Sequence, residues 1–302
     1  MSVSNLVQQK AGITIDIPNP SDPVTLEYLK LVADDDVAVE EIESWSDAAK
    51  RLSGGATELS RTTLNLRVHT RLDGVKKNYQ DFVERHPDYV NARLAFGSFL
   101  YQTGDTEAAQ VQWEKARDLN PKNPAAWDDL GKLYEAGNSK KSIECYTKAI
   151  ELNPSQSVYY HNLAECVYNA RTEAAEYWGV SNQQVYDVAL KLYHKAIELD
   201  PDNFVLASDY AECFYGINPP RWKEGLEAWK ECLKIAHDED EREGVLLHLA
   251  RIEMRLTNFD GSRHYLDGVT NSSYAALKNR LARNLDLAIQ NALTNGPPQP
   301  LR

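Results

Sequence analysis

The sequence predicts an all-α chain made by repeating one helical hairpin. Three observations predict it. A proline closes a helical phrase at a near-constant interval: Pro87, Pro121, Pro154 and Pro201, spaced 34, 33 and 47 residues apart. The phrases before three of these are near copies, "WEKARDLNP", "YTKAIELNP" and "YHKAIELDP". After the prolines, apolar residues recur at helical steps: Trp127, Leu130, Gly131 and Tyr134 fall at i, i+3, i+4 and i+7. A fixed period of this length marks a supersecondary unit that buries its apolar face only by stacking on the next copy.

Taken in order, residues 1–57 do not follow the period. "ITIDIPNPSDP" alternates Ile13, Ile15 and Ile17 and then meets three prolines, which suits an extended arm. Pro23 can open a short helix from Val24 to about Ala33. "DDDVAVEEIESWSDAAKRL" reads as a second, acidic helix with Ile42, Trp45, Ala49 and Leu52 on one side, and Ser53 to Gly55 as a hinge. This acidic arm either caps the array or lies in a groove, its own or a partner's. A helix from Val75 through Tyr79 and Phe82 to Pro87 completes a degenerate first unit. Proline stops each such helix because its ring removes a donor and restricts the residue before it. Full units follow over 90–121, 124–154, 157–201 and 204–237, with a fainter copy over 243–271. Ser273 to Gly296, with Leu277, Leu281, Leu285 and Ile289 at steps of four, reads as a capping helix; 297–302 is a Pro-rich tail.

Composition narrows the function. Hydrophobic residues are 42% and charged residues 26% of the 302, which suits a folded chain. No apolar run approaches the roughly 18 residues of a membrane span, so no membrane insertion is expected. Net charge is -12, and residues 1–60 carry -7 of it. Nucleic acid is held by Lys and Arg on phosphates, so an acidic chain without a basic stripe argues against it. The start lacks a charged-then-apolar leader pattern. Cys145, Cys166, Cys213 and Cys232 show no CxxC spacing, so a reduced, cytoplasmic location is expected.

The periodic residues resemble the tetratricopeptide repeat family, whose pattern is W-x2-L-G-x2-Y, then A-x3-F, then P. Trp127, Leu130, Gly131, Tyr134, Tyr146 and Pro154 match it, with Ser142 in the usual Ala place. So do Phe96, Gly97, Ala109, Trp113 and Pro121, and Tyr160, Leu163, Ala164, Ala189, Tyr193 and Pro201. The resemblance covers 58–271. It implies a right-handed superhelix (α-solenoid) of about five to six hairpins with a C-terminal capping helix. Small residues such as Gly97, Gly131, Ala164 and Ala211 let paired helices approach, and large ones fill the seams. Cys166 and Cys213, two residues beyond such alanines, fit as small buried apolar residues.

The resemblance also implies that the first helix of each hairpin lines the concave face. Equivalent rows then hold Leu94, Asp128, His161, Ser208 and Leu247; Ser98, Lys132, Glu165, Glu212 and Arg251; and Tyr101, Glu135, Tyr168, Tyr215 and Met254. The tyrosines either bind or only pack. The clamp of Lys, Arg and Asn with which some members grip chaperone tails is missing, since Asn162 alone fits it. The C-terminal carboxylate tail of heat-shock chaperones is therefore excluded. Acids amid tyrosines suit a protein partner presenting a basic or aromatic-bearing peptide or helix. The third unit is 13 residues too long (47 minus 34), through an insertion near 169–184. Gly179 ends its helix and Ser181 with Gln184 starts the next as a capping box. It is either a tolerated loop or presents Tyr177 and Trp178 as an aromatic anchor.

Catalytic and metal patterns with specific spacing are missing, so no catalytic residue, metal or cofactor is expected. His161 and Glu165 share a helix face, but two ligands do not define a site. "HDEDERE" from His237 reads as a solvated turn. The reading is a non-enzymatic scaffold, adaptor or assembly factor using its concave groove. The alternative is a regulatory or structural subunit held through the arm and the insertion; an enzyme with an unrecognised site comes third.

Overall fold

The proline-bounded phrases fold as helices that stop where the prolines stand. The structure is a computed structural model that describes residues 21–52 and 58–295. Among the described residues there are fourteen α-helices and no strand. They are α1 (Pro23–Leu52), α2 (Glu58–Arg85), α3 (Val90–Gln102), α4 (Thr106–Leu119), α5 (Pro124–Tyr134), α6 (Ser139–Leu152) and α7 (Ser157–Asn169). Then follow α8 (Arg171–Trp178), α9 (Asn182–Leu199), α10 (Phe204–Glu212), α11 (Trp222–Ile235), α12 (Glu239–Arg255), α13 (Phe259–Asp267) and α14 (Ala275–Asn295). The residues around each proline serve both neighbours. Asn123 and Asn203 turn their side chains onto the amides of Ala125 and Leu206, satisfying donors that a helix start leaves open.

The helices form two compact units, Met1–Gln156 and Ser157–Arg302, each with its own core. In the first, α3 pairs with α4 and α5 with α6. Glycine makes the pairing close. A Cβ on Gly97 would lie 2.3 Å from Nε1 of Trp113, and one on Gly131 would lie 2.6 Å from Cε1 of Tyr146. Trp113 is buried and its Nε1 donates to the carbonyl of Leu94 at 3.2 Å. Ser142 Oγ donates to the Gly131 carbonyl at 2.8 Å, so the Ser in place of the usual Ala ties its hairpin together.

The first unit corrects one expectation. Residues 23–52 form one helix of 30 residues, not two short ones. The acidic run that suggested a break is answered by α2. Arg71 pairs with Asp34 and with Glu41, both at 2.7 Å, and the Tyr79 hydroxyl donates to Asp35 at 2.9 Å. Tyr28, Leu31 and Ala38 of α1 are buried with Val75, Tyr79 and Phe82 of α2. Tyr79 in turn stacks on Phe96 of α3, with ring centroids 5.3 Å apart. So α1 is the first layer of this unit. The extended arm before Ser21, the hinge at Ser53 to Gly55 and the tail from 297 lie outside the described residues.

In the second unit α7 pairs with α9, α10 with α11, and α12 with α13, while α14 packs on α12 and α13 through buried Leu281 and Leu285. The insertion does not simply lengthen α7. The helix breaks at Ala170 (φ -96°, ψ 37°), and α8 restarts with Ala174 and Ala175 buried. Gly179, at φ +66°, ends α8 in the left-handed conformation that glycine adopts without strain. Ser181 and Gln184 make the reciprocal capping box that opens α9.

"HDEDERE" is not a turn. Asp238 caps α12 by accepting from the Glu241 amide, and Glu239, Asp240 and Glu241 occupy its first turn, where a helix favours negative charge. Glu243 is buried and accepts from the amides of Asn271 and Thr270, at 2.7 and 3.0 Å, and from the Thr270 hydroxyl at 2.8 Å. Those bonds hold its carboxyl below the ordinary value, the Asn271 amide most of all.

None of the four cysteines is in a disulfide, and all four are buried. Burial pushes the Cys213 and Cys232 thiols up to about 12 and Cys145 up to about 11. The thiolate is the reactive form. At pH 8 a disulfide-type labelling reagent should therefore leave all four unmodified in the native protein for as long as they label at once in denaturant. A cysteine that labels rapidly in the folded chain would contradict this burial.

Candidate functional site

On the second unit, three helices present the expected row residues: α7, α10 and α12. His161 on α7 places Nε2 2.9 Å from Oδ2 of Asp209 on α10, a bond across two hairpins. One turn further, Glu165 and Glu212 are exposed. These carboxylates share one neighbourhood. Burial is the main cause of the raised Cys213 thiol, and Asp209, Glu165 and Glu212 each add to it. Glu165 and Asp209 also act on Tyr193, which burial first of all holds protonated.

The third row is mostly structural. The Tyr168 hydroxyl donates to the Cys213 carbonyl at 2.8 Å, fastening α7 to the short 3-10 turn (Cys213–Tyr215) after α10. The Tyr215 hydroxyl lies 3.0 Å from Nδ1 of His248 on α12. Burial, with Arg251 adding to it, pushes His248 down to about 4. Burial likewise pushes the Tyr215 phenol up to about 12. A protonated phenol thus meets a neutral imidazole, which itself stacks on Trp229 at 4.0 Å between centroids. Arg251 stands over the Tyr215 ring at 5.4 Å, in reach of an attractive contact. The face is therefore a rigid tyrosine-histidine floor with carboxylates and one guanidinium above it.

Other row residues fall elsewhere. Leu247 is buried and belongs to the core. Ser208 turns its hydroxyl onto the Val205 carbonyl of its own helix at 2.8 Å. Tyr177 is exposed and Trp178 half-buried at the end of α8. Among the described residues no group of three His, Cys, Asp or Glu is placed to hold a metal ion.

Tyr101, Asp128 and Lys132 belong to the first unit. Tyr101 is exposed, its ring 5.5 Å from that of Trp113. Asp128 is buried and pairs with Lys132 at 3.0 Å. Burial pulls the Lys132 ammonium down, but Asp128, Asp129 and Glu135 outweigh it and leave it above its ordinary value. Asp129, also buried, is raised to about 7 by desolvation, with Asp128 adding and Lys132 opposing. Row spacing missed Asp129 and His248 as perturbed groups. The signal available was the doubled acid at 128–129, two carboxylates where one lysine follows.

The tetratricopeptide repeat family matches over residues 124–156. RanBP2-like and GRIP domain-containing protein 3 of Homo sapiens is 31% identical over 86 residues, which are 28% of this chain and 5% of that protein. E3 SUMO-protein ligase RanBP2 of Homo sapiens is 30% identical over 86 residues, 28% of this chain and 3% of that protein. The chain thus spans about a twentieth or less of the curated relatives it matches. The solved structure of Pseudomonas aeruginosa pilF superposes with a TM-score of 0.52 at 15% identity, over 81% of this chain and 99% of that one.

Proposed function

The chain is a tetratricopeptide repeat protein, and on that premise we propose that it is a non-enzymatic scaffold, adaptor or assembly factor that binds a protein segment. The segment is basic or aromatic-bearing and lies on the α7–α10–α12 face. The observation that supports this is the pairing of exposed Glu165 and Glu212 with a floor already fixed by Tyr168, Tyr215 and His248. A pre-ordered face loses little entropy on binding, and its acids steer a basic partner. Tyr177 and Trp178 support a second reading, a subunit anchored to a larger complex through the insertion.

Affinity capture from the source cell separates the two. Glu165→Arg/Glu212→Arg is compared with Glu227→Arg/Glu231→Arg, the same charge change on exposed residues of α11. Loss of the main partner with the first pair alone supports the groove reading, and binding should also weaken with salt. If Tyr177→Ala/Trp178→Ala alone releases the partner, the subunit reading stands. Deleting residues 1–55 is a poor probe, because α1 is part of the first unit's core. Turnover of a substrate by the purified chain would overturn both readings.

A further inference from the structure

The first unit begins with a hairpin too long for its neighbours. At 1.5 Å per residue, α1 and α2 run about 45 and 42 Å, while α3 runs about 20 Å. Burial ends midway. Among the described side chains, no residue of α1 beyond Ala38 and none of α2 before Val75 is buried. The distal half instead exposes apolar surface, with Leu66 at 67% and Val39 at 45%. Along α2 an open cleft of about 520 Å³ is lined by Trp45, Thr63, Leu66, Arg67, Thr70 and Gly74. A Cβ on Gly74 would meet nothing within 4 Å, so there is room for a helix to approach.

Charge says what would fill it. Residues 34–47 of α1 hold seven acids and no Lys or Arg. Residues 61–77 of α2 hold five bases against one acid, Asp73; Arg71, Lys76 and Lys77 pair within the chain, which leaves Arg61 and Arg67 exposed, Arg67 over the Trp45 ring at 3.8 Å. Val39 is flanked by exposed Glu40 and Glu43, and Leu66 by exposed Arg67. The exposed Arg61 and Arg67 of α2 are matched in charge by the exposed Glu40 and Glu43 of another copy's α1. We propose that the distal half of this hairpin docks a second copy of the chain about a two-fold axis, α1 of each copy lying on α2 of the other. A two-fold makes the same acid-on-base contact twice, and it buries Leu66 and Val39 of both copies.

The test is the solution mass of the full chain by sedimentation, with two charge reversals. Wild type is expected at twice the chain mass at micromolar concentration, and the dimer should weaken several-fold from about 0.1 M to about 1 M salt. Glu40→Lys/Glu43→Lys sets base on base, and Arg61→Glu/Arg67→Glu sets acid on acid; each alone should be monomeric. Mixed one to one, they restore both contacts and should form a heterodimer. Circular dichroism confirms that each variant is folded, and the mixing step also excludes misfolding as the cause of a monomer. A monomeric wild type overturns the proposal. So does a dimer that both reversals leave intact, or a mixture that stays monomeric.

Discussion

Gly97→Ala should destabilise the first unit, although alanine is the better helix former. The added methyl would sit at 2.3, 2.5 and 2.8 Å from three atoms of the Trp113 ring. That ring is a poor candidate to move: it is 1% exposed and held by its bond to the Leu94 carbonyl. Overpacking of this kind costs about 1–3 kcal/mol. The helix preference of alanine offsets about 1 kcal/mol, leaving a net loss of up to about 2 kcal/mol. Trp113→Ala removes the ring and should cost about 3–5 kcal/mol. The double variant is the decisive measurement. With the ring gone, the methyl at 97 enters the space left behind, so the losses should fall short of their sum by about 1 kcal/mol or more. Denaturant unfolding followed by circular dichroism reads all three. Strictly additive losses would mean that the two residues do not limit each other.

Asp129→Asn should stabilise the protein, and only above mildly acidic pH. Burial raises the Asp129 carboxyl from 3.8 to about 7. The folded state therefore holds its proton more tightly than the unfolded state does. Stability from this group is complete below about pH 4 and declines as pH rises through about 7, because the fold must then either bury a charge or release it at a cost. At 1.36 kcal/mol per pH unit, the interval from 3.8 to about 7 sets a ceiling of about 4 kcal/mol. Asparagine removes the charge at nearly constant shape. The variant should match wild type near pH 4 and exceed it by up to that ceiling at pH 8. The difference between the two proteins is the quantity to follow, since His248, lowered to about 4, gives the opposite slope on the acid side. An asparagine variant less stable than wild type at pH 8 would show that Lys132 already balances the charge.

Particular residues show how much was legible in the sequence. The helix stops at the repeat prolines, the Gly97 and Gly131 approaches and the Ser181–Gln184 box all depend on residues close in sequence or one repeat away, so spacing exposes them. The continuity of α1 does not. Asp34 and Asp35 are answered by Arg71 and Tyr79, 37 and 44 residues later, and nothing local announces such partners. The acidic stretch from His237 misled for a related reason. Its charges suit a helix N-terminus as well as a loop, and only the bonds of Glu243 to Thr270 and Asn271 decide between them. On the face itself, row spacing located Glu165 and Glu212. Leu247, on the same face by spacing, is buried in the core instead.

The pairing of α1 with α2 also bears on synthesis. A ribosome releases residues in order, and each helix of a stacked array needs a surface to settle on. Here the first partner of α1 follows it directly, and within each unit every later hairpin emerges onto an edge that is already folded. Within each unit the seam awaiting cover is the one made last, and α14 closes that of the second. Translation pauses should then be tolerated at hairpin boundaries and harmful inside a hairpin, where half of a Gly97–Trp113 or Gly131–Tyr146 contact would wait for its mate.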